Sequence, residues 1–253
     1  MGWHMLTKRV IARLDIKGPH VVKGVRMEGL RQLGKPADFA RRYYEQGADE
    51  LLYLDIVANL YNREPDLEAI DVALAGVFVP VTVGGGVRTL KHIKALLRVG
   101  ADKVAINTAA VLNPGLLTSA AAEFGASTLV LQLDAKWSEL KERYEVYTHG
   151  GRERHDIDAI EWVRARSQHV AEVLVTSIDR DGTQSGPDLR IIEQVKTASS
   201  ASVIAGGGIA HVDQAASAFD AGADAVAIAT ALHAGKVLLA KGPERIGAEM
   251  RTA

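Results

Sequence analysis

Short, nearly continuous apolar runs recur along the chain, and between them lie longer segments in which apolar residues return every three or four positions. Arg9 to Asp15 (RVIARLD), Glu50 to Asp55 (ELLYLD), Leu129 to Asp134 (LVLQLD) and Glu172 to Ile178 are runs of the first kind. Segments of the second kind read as helices: one opens at Pro36, a residue suited to the first helical turn, and stops at Gly47. Others span Pro65 to Ala75, Asn113-Pro114 to Phe124-Gly125, Asp158 to about Gln168 and Leu189 to Ser199, and a last one opens at Pro243. Residues Lys17 to Lys35 read as a long loop, and Tyr144 to Thr148 (YEVYT) alternates as a hairpin strand inserted in another loop. Strands that are apolar on both faces and alternate with helices form a parallel sheet covered on both sides.

The remaining strands come as a repeat. Pro80 to Ala109 (PVTVGGGVRTLKHIKALLRVGADKVAINTA) aligns without a gap on Ser202 to Ala231 (SVIAGGGIAHVDQAASAFDAGADAVAIATA), Gly84 falling on Gly206 and Asp102 on Asp224. Each copy is a strand, a triple glycine, a helix, Gly-Ala-Asp and a second strand with a hydroxyl at its end, Thr108 or Thr230. With four strands per half the chain reads as eight β/α units, an α/β protein of the (β/α)8 TIM-barrel class built from two half-barrels of about residues 5–125 and 126–253. Met1 to His4, ahead of Met5, read as an extraneous leader outside that single domain. Glycines between a strand and a helix let backbone N–H groups approach an anion at the positive end of the helix. Two such loops imply a ligand with two phosphates.

Composition narrows the field further. A net charge of −1 offers no field for nucleic acid or a membrane surface, and no apolar run has the length of a membrane span, so a cytoplasmic protein is expected. The absence of cysteine excludes disulfides, thiolate metal sites and a thiol nucleophile. His92, His155, His169 and His211 lack ligand spacing, so neither a metal nor another cofactor is expected.

Barrel enzymes build their sites at the C-terminal ends of the strands. Asp15 and Asp134 end the first and fifth strands, nearly half the chain apart, which sets two carboxylates across the mouth between the glycine loops. Such a pair suits acid–base work on a substrate phosphorylated at both ends, with the assignment of acid and base left open. Asp55, Asp179 and Asp181 are equally well read as caps of turns.

The stretches RVIARLDIKGPHVVKG, DELLYLDI, VTVGGGVR, GADKVAINTAAVLNP and TSIDRDGTQSG together resemble the cyclase subunit of imidazole glycerol phosphate synthase, an enzyme of histidine biosynthesis. The resemblance implies a lyase that combines ammonia with phosphoribulosyl-formimino-aminoimidazole-carboxamide ribonucleotide and releases imidazole glycerol phosphate and aminoimidazole carboxamide ribonucleotide. It implies catalytic roles for Asp15 and Asp134, with Asp181 and Thr183 beside them and Lys23 on a loop above. It implies phosphate contacts at Gly84, Gly85, Thr108, Gly207, Gly208 and Thr230. It further implies a glutaminase subunit docked on the N-terminal face near Asp102, delivering ammonia through a charged gate of Arg9, Glu50, Lys103 and Glu172. The chain departs from the usual pattern at Arg13, where a small thiol is common, at Arg154-His155-Asp156 and at Ala205 to Ile209. Three other readings accompany it: a relative that uses glutamine-derived ammonia to amidate a sugar of surface polysaccharide, a non-catalytic activator of a glutaminase, and the isomerase of the preceding step.

Overall fold

The computed structural model describes residues 8–239 together with Ile246–Gly247. Eight parallel strands close into a barrel: β1 (Arg9–Lys17), β4 (Glu50–Asp55), β5 (Val81–Gly84), β6 (Lys103–Ile106), β7 (Leu129–Ser138), β10 (Glu172–Ser177), β11 (Ser202–Gly206) and β12 (Ala225–Ile228). Each pairs with the next in that order, and β12 returns to pair with β1 at Arg9↔Ala225 through Ala12↔Ile228. Helices α1 (Pro36–Gln46), α2 (Leu67–Leu74), α3 (Leu90–Arg98), α5 (Gly115–Phe124), α6 (Ala159–Arg166), α7 (Leu189–Ala198) and α8 (Val212–Asp220) cover the outside. The (β/α)8 barrel read from the apolar runs is therefore present. None of these helices is long and apolar enough to cross a membrane.

Strand alternation separates two cores. On β1, Val10, Ala12, Leu14 and Ile16 belong to the core between strands and helices, and Ile11 belongs to the barrel interior with Leu52, Leu54, Val130, Leu174 and Ile204. Arg9, Arg13 and Asp15 share the register of Ile11, so one strand face carries a charge at the floor, an apolar plug and charges at the mouth.

The Gly-Ala-Asp motif proves to be a clamp between neighbouring strands. Asp102 accepts a hydrogen bond from the Val81 N–H at 2.8 Å while its own N–H donates to the Val81 carbonyl. Asp224 and Val203 repeat the arrangement at 2.8 Å, and Asp49 with Val10 forms a third. Each clamp ties the start of one strand to its neighbour and satisfies a strand-end donor that no ladder bond reaches.

One expectation needs correction. The Lys17 to Lys35 segment is not a loop but an antiparallel hairpin, β2 (His20–Val25) and β3 (Glu28–Gly34), paired to β1 through Ile16↔Val21. Its turn uses Arg26 and Met27 at φ of 52° and 63°, without the glycine or asparagine that signals such turns. The inserted hairpin at Tyr144 to Thr148 has two strands beyond β7, β8 (Arg143–Thr148) and β9 (Glu153–Asp158), the latter too polar to show a period. Most of the closing helix expected from Pro243, like the leader at residues 1–4, lies outside the described residues; Ile246–Gly247 (β14) pairs antiparallel with Leu238–Leu239 (β13). Two short helices also follow barrel strands at matching positions of the repeat, α4 (Thr108–Leu112) and α9 (Thr230–His233).

Candidate active site

The C-terminal ends of the strands surround a cleft of about 780 Å³ lined by Asp15, Lys23, Gly85, Thr108, Asp134 and Asp181, among others. A smaller cleft of about 300 Å³ adjoins it, lined by Gly207, Gly208 and Thr230. Arg13, Lys23 and Asp181 line both, so they form the waist between the first-half and second-half glycine loops.

A chain of ion pairs crosses that waist. Arg13 Nε donates to Asp15 Oδ1 at 2.7 Å, Lys23 Nζ donates to Asp15 Oδ2 at 2.7 Å, and Lys23 also reaches both Asp181 oxygens at 3.0 and 3.2 Å. Lys23 arrives on β2, whose hairpin is fastened to the loop after β10 by the Arg26 N–H donating to the Asp181 carbonyl at 2.7 Å. Burial alone would push the Asp15 carboxyl up, but the charges and hydrogen bonds of Arg13 and Lys23 outweigh it and hold Asp15 well below the usual carboxylate range.

Asp134 sits in a different environment. It is 2 % exposed and among the described residues meets no cation at hydrogen-bond distance; its partners are the amide groups of Asn107 at 2.7 Å and Gln132 at 3.3 Å. Burial pushes its carboxyl up to about 6, against the opposing pull of Arg13 and the two amides, with Asp181 adding to the rise. The two aspartates therefore differ in kind: Asp15 is a fixed carboxylate, and Asp134 can take up and release a proton near neutrality.

The glycine loops match across the repeat. Gly85 and Gly86 take φ of 99° and 70°, and Gly207 and Gly208 take 94° and 84°. A Cβ at Gly208 would stand 2.1 Å from the Gly186 carbonyl oxygen, and one at Gly85 2.2 Å from that of Asp55, so both positions need glycine for angle and for space. Gly208→Ala is expected to destabilise the fold by at least about 2 kcal/mol, seen as a lower urea midpoint. Thr108 accepts from the Asn59 amide and the His149 N–H, both at 3.2 Å, which leaves its own proton for a ligand.

Two sequence-derived residues stand elsewhere. Gly84 lies in the barrel wall, where Leu54 and Ala105 occupy the space of its missing side chain, and Gly86 takes the lining position expected of it. Thr183 turns its hydroxyl onto the Arg180 carbonyl at 2.8 Å and lines neither cleft. Asp55 serves its own turn by accepting from the Val57 N–H and also lines the larger cleft, whereas Asp179 accepts from the Trp137 N–H, 42 positions away on β7, and lines neither cleft. Asn107, Gln132 and Thr176 were not singled out by sequence; Gln132 shares the inward face of Asp134 by period two, the only signal it gave. Among the described residues no group of three or more histidine, cysteine or acidic side chains is arranged to hold a metal.

At the opposite end, Arg9, Glu50, Lys103 and Glu172 form a closed ring of alternating charge. Arg9 pairs with Glu50 and, at 2.7 Å, with Glu172; Lys103 pairs with Glu50 at 3.1 Å and Glu172 at 2.9 Å. Beside it a groove lined by Leu74, Val77, Val99 and Asp102 carries Phe78, 82 % exposed.

Residues 9–238 match the family model described as histidine biosynthesis protein. The chain is 48 % identical to the imidazole glycerol phosphate synthase subunit HisF of Myxococcus xanthus (strain DK1622), over 91 % of either chain. It is 47 % identical to the subunit of that name from Legionella pneumophila, over 83 % of this chain and 99 % of the other. For the Thermobifida fusca (strain YX) HisF subunit the identity is 45 %, over 92 % of this chain and 93 % of the relative.

Proposed function

The chain belongs to the histidine biosynthesis protein family, and from that membership we propose that it is the cyclase subunit of imidazole glycerol phosphate synthase, a cytoplasmic ammonia-dependent lyase. The three HisF relatives support this reading over sugar amidation, over activation of a glutaminase without chemistry, and over the preceding isomerase. The barrel from about residue 5 to 253 acts as one domain descended from two half-barrels, a view supported by the paired clamps at Asp102 and Asp224 and the matched angles of the glycine loops.

The substrate spans the waist with one phosphate at Gly85, Gly86 and Thr108 and the other at Gly207, Gly208 and Thr230. Ammonia adds to the ribulosyl carbonyl; the two protons its nitrogen gives up leave with the carbonyl oxygen as water, and an imine remains. Closure of the imidazole ring then cleaves the C–N bond to the carboxamide product. Asp134 carries protons between these steps, and Asp15 with Lys23 and Asp181 provides the fixed charges around them. The observation that carries this reading is the contrast between two buried aspartates in one cleft, Asp15 locked in ion pairs with Arg13 and Lys23 and Asp134 held by the neutral amides of Asn107 and Gln132. Steady-state turnover of the formimino substrate with ammonium salt tests it: turnover abolished by Asp134→Asn is expected, and a folded but inactive parent protein would sink it.

As a synthase subunit the chain receives its ammonia from a glutaminase docked on the floor, a placement supported by the charge ring and the apolar groove at Phe78. Lys103→Met is expected to leave ammonium-driven turnover within about threefold while lowering glutamine-driven turnover roughly tenfold or more in the assembled complex. Equal losses in the two assays would contradict the gate.

A further inference from the structure

Arg13 is 3 % exposed and belongs to the inward face of β1, one layer below the mouth. Space for it comes from small residues on the adjoining strands. Ala227 of β12 faces the interior, and a Cβ added to Gly206 of β11 would already stand 3.7 Å from Arg13 Nη1. The guanidinium reaches from β1 to β10, its Nε donating to Asp15 and its Nη1 to Thr176 Oγ1 at 3.1 Å. These two bonds use two of the five N–H donors an arginine carries, and among the described residues its side chain makes no other hydrogen bond. Arg13 also lines both clefts, so it stands where the middle of a ligand stretched between the two glycine loops must pass.

The charge balance gives the guanidinium a second consequence. Asp15, Asp134 and Asp181 are three buried acids at the waist; among the described residues Arg13 from β1 and Lys23 from β2 are the cations that ion-pair with them, through Asp15 and Asp181, and Arg152 lines the same cleft without an ion pair to any of the three. The other groups against Asp134 are the neutral amides of Asn107 and Gln132. Without Arg13, Asp134 would lose the cation that opposes its burial and would hold its proton more tightly.

We propose that Arg13 is a further substrate-contacting residue of the cyclisation: it fixes Asp15 in place and donates to the carbonyl oxygen of the acyclic sugar as ammonia attacks. The assignment rests on the cyclase reading above. As the nitrogen lone pair forms the new C–N bond, the carbonyl π pair moves onto oxygen, and the guanidinium donors meet that charge. Asp134 takes a proton from the nitrogen and returns it to this oxygen, and a second transfer of the same kind releases water. The planar fork can hold Asp15, Thr176 and a substrate oxygen together, which a point charge on a lysine cannot.

The test is steady-state kinetics of the parent, Arg13→Met and Arg13→Lys at constant free ammonia across about pH 5 to pH 8, with circular dichroism confirming the fold. Arg13→Met is expected to lose roughly 100-fold in kcat with little change in KM, and its acid limb moves to higher pH. Arg13→Lys retains the position of the limb and still loses about tenfold in kcat; it decides alone should Arg13→Met not fold. Either folded variant keeping kcat within about threefold of the parent, or a loss confined to KM, overturns the assignment. An inactive parent in the same assay is a different failure, that of the cyclase reading itself.

Discussion

Asp134→Asn is expected to stop turnover and at the same time make the protein more stable, whereas Asp15→Asn stops turnover and makes it less stable. The folded protein raises the Asp134 carboxyl from 3.8 to about 6, so its ionised form is the one the fold disfavours. The resulting cost is absent below about pH 4, grows as pH rises to about 6 and is complete above it, where it amounts to roughly 3 kcal/mol. An amide in the same place keeps an acceptor for Asn107 and removes the charge. A chain of this length gains about 2–4 °C in melting temperature per kcal/mol, so at neutral pH the variant should melt roughly 6–12 °C higher, and below about pH 4 no higher. Asp15 has the opposite sign. Its carboxyl is held well below the usual range by Arg13 and Lys23, so its stabilisation is present above about pH 4 and lost as pH falls through the lowered value. Thermal melts of both variants at neutral pH check the pair of signs, and melts that move together would contradict the division of roles.

Lys23→Met should give the second large effect. The ammonium holds Asp15 at 2.7 Å and Asp181 at 3.0 Å, and Asp181 has no other ion pair among the described residues. Removing one partner of a buried pair leaves the other charged in low dielectric, at a cost of about 3 kcal/mol. Turnover should fall roughly 100-fold, because Asp181 then loses its cation and Asp15 keeps only Arg13. Adding Asp181→Asn to Lys23→Met should recover much of the lost stability and little of the activity, a non-additivity read from denaturation midpoints of the double-mutant cycle. Additive losses would show that the two groups do not act on each other.

What the sequence revealed, and what it withheld, follows from the range of the interactions concerned. The barrel was legible because parallel strands buried on both faces read as apolar runs, and because one repeat aligns without a gap. Asp15 and Asp134 were legible as strand ends half a chain apart. Their difference in chemistry was not, since it depends on Lys23 crossing from a hairpin to reach Asp181, 158 positions away, and on Arg13 turning towards Thr176, 163 positions away. The hairpin itself was hidden by a turn that Arg26 and Met27 make at positive φ. Gly84 and Gly86 are indistinguishable in a run of three glycines; only the packing of Leu54 and Ala105 against Gly84 separates them. The four charges of the floor ring each begin a strand; sequence alone reads Arg9, Glu50 and Lys103 as part of a surface charge cluster, and the family resemblance singled out the four. Their closure into one ring comes from strand order.

The most direct measurement is the pH dependence of turnover with the phosphoribulosyl formimino substrate at constant free ammonia. If Asp134 must be ionised to accept the first proton, activity rises with pH through about 6 and levels above it, and Asp134→Asn shows no turnover at any pH. Turnover that stays constant from about pH 5 to pH 8, or that survives Asp134→Asn, would contradict a cyclase in which this aspartate carries the proton.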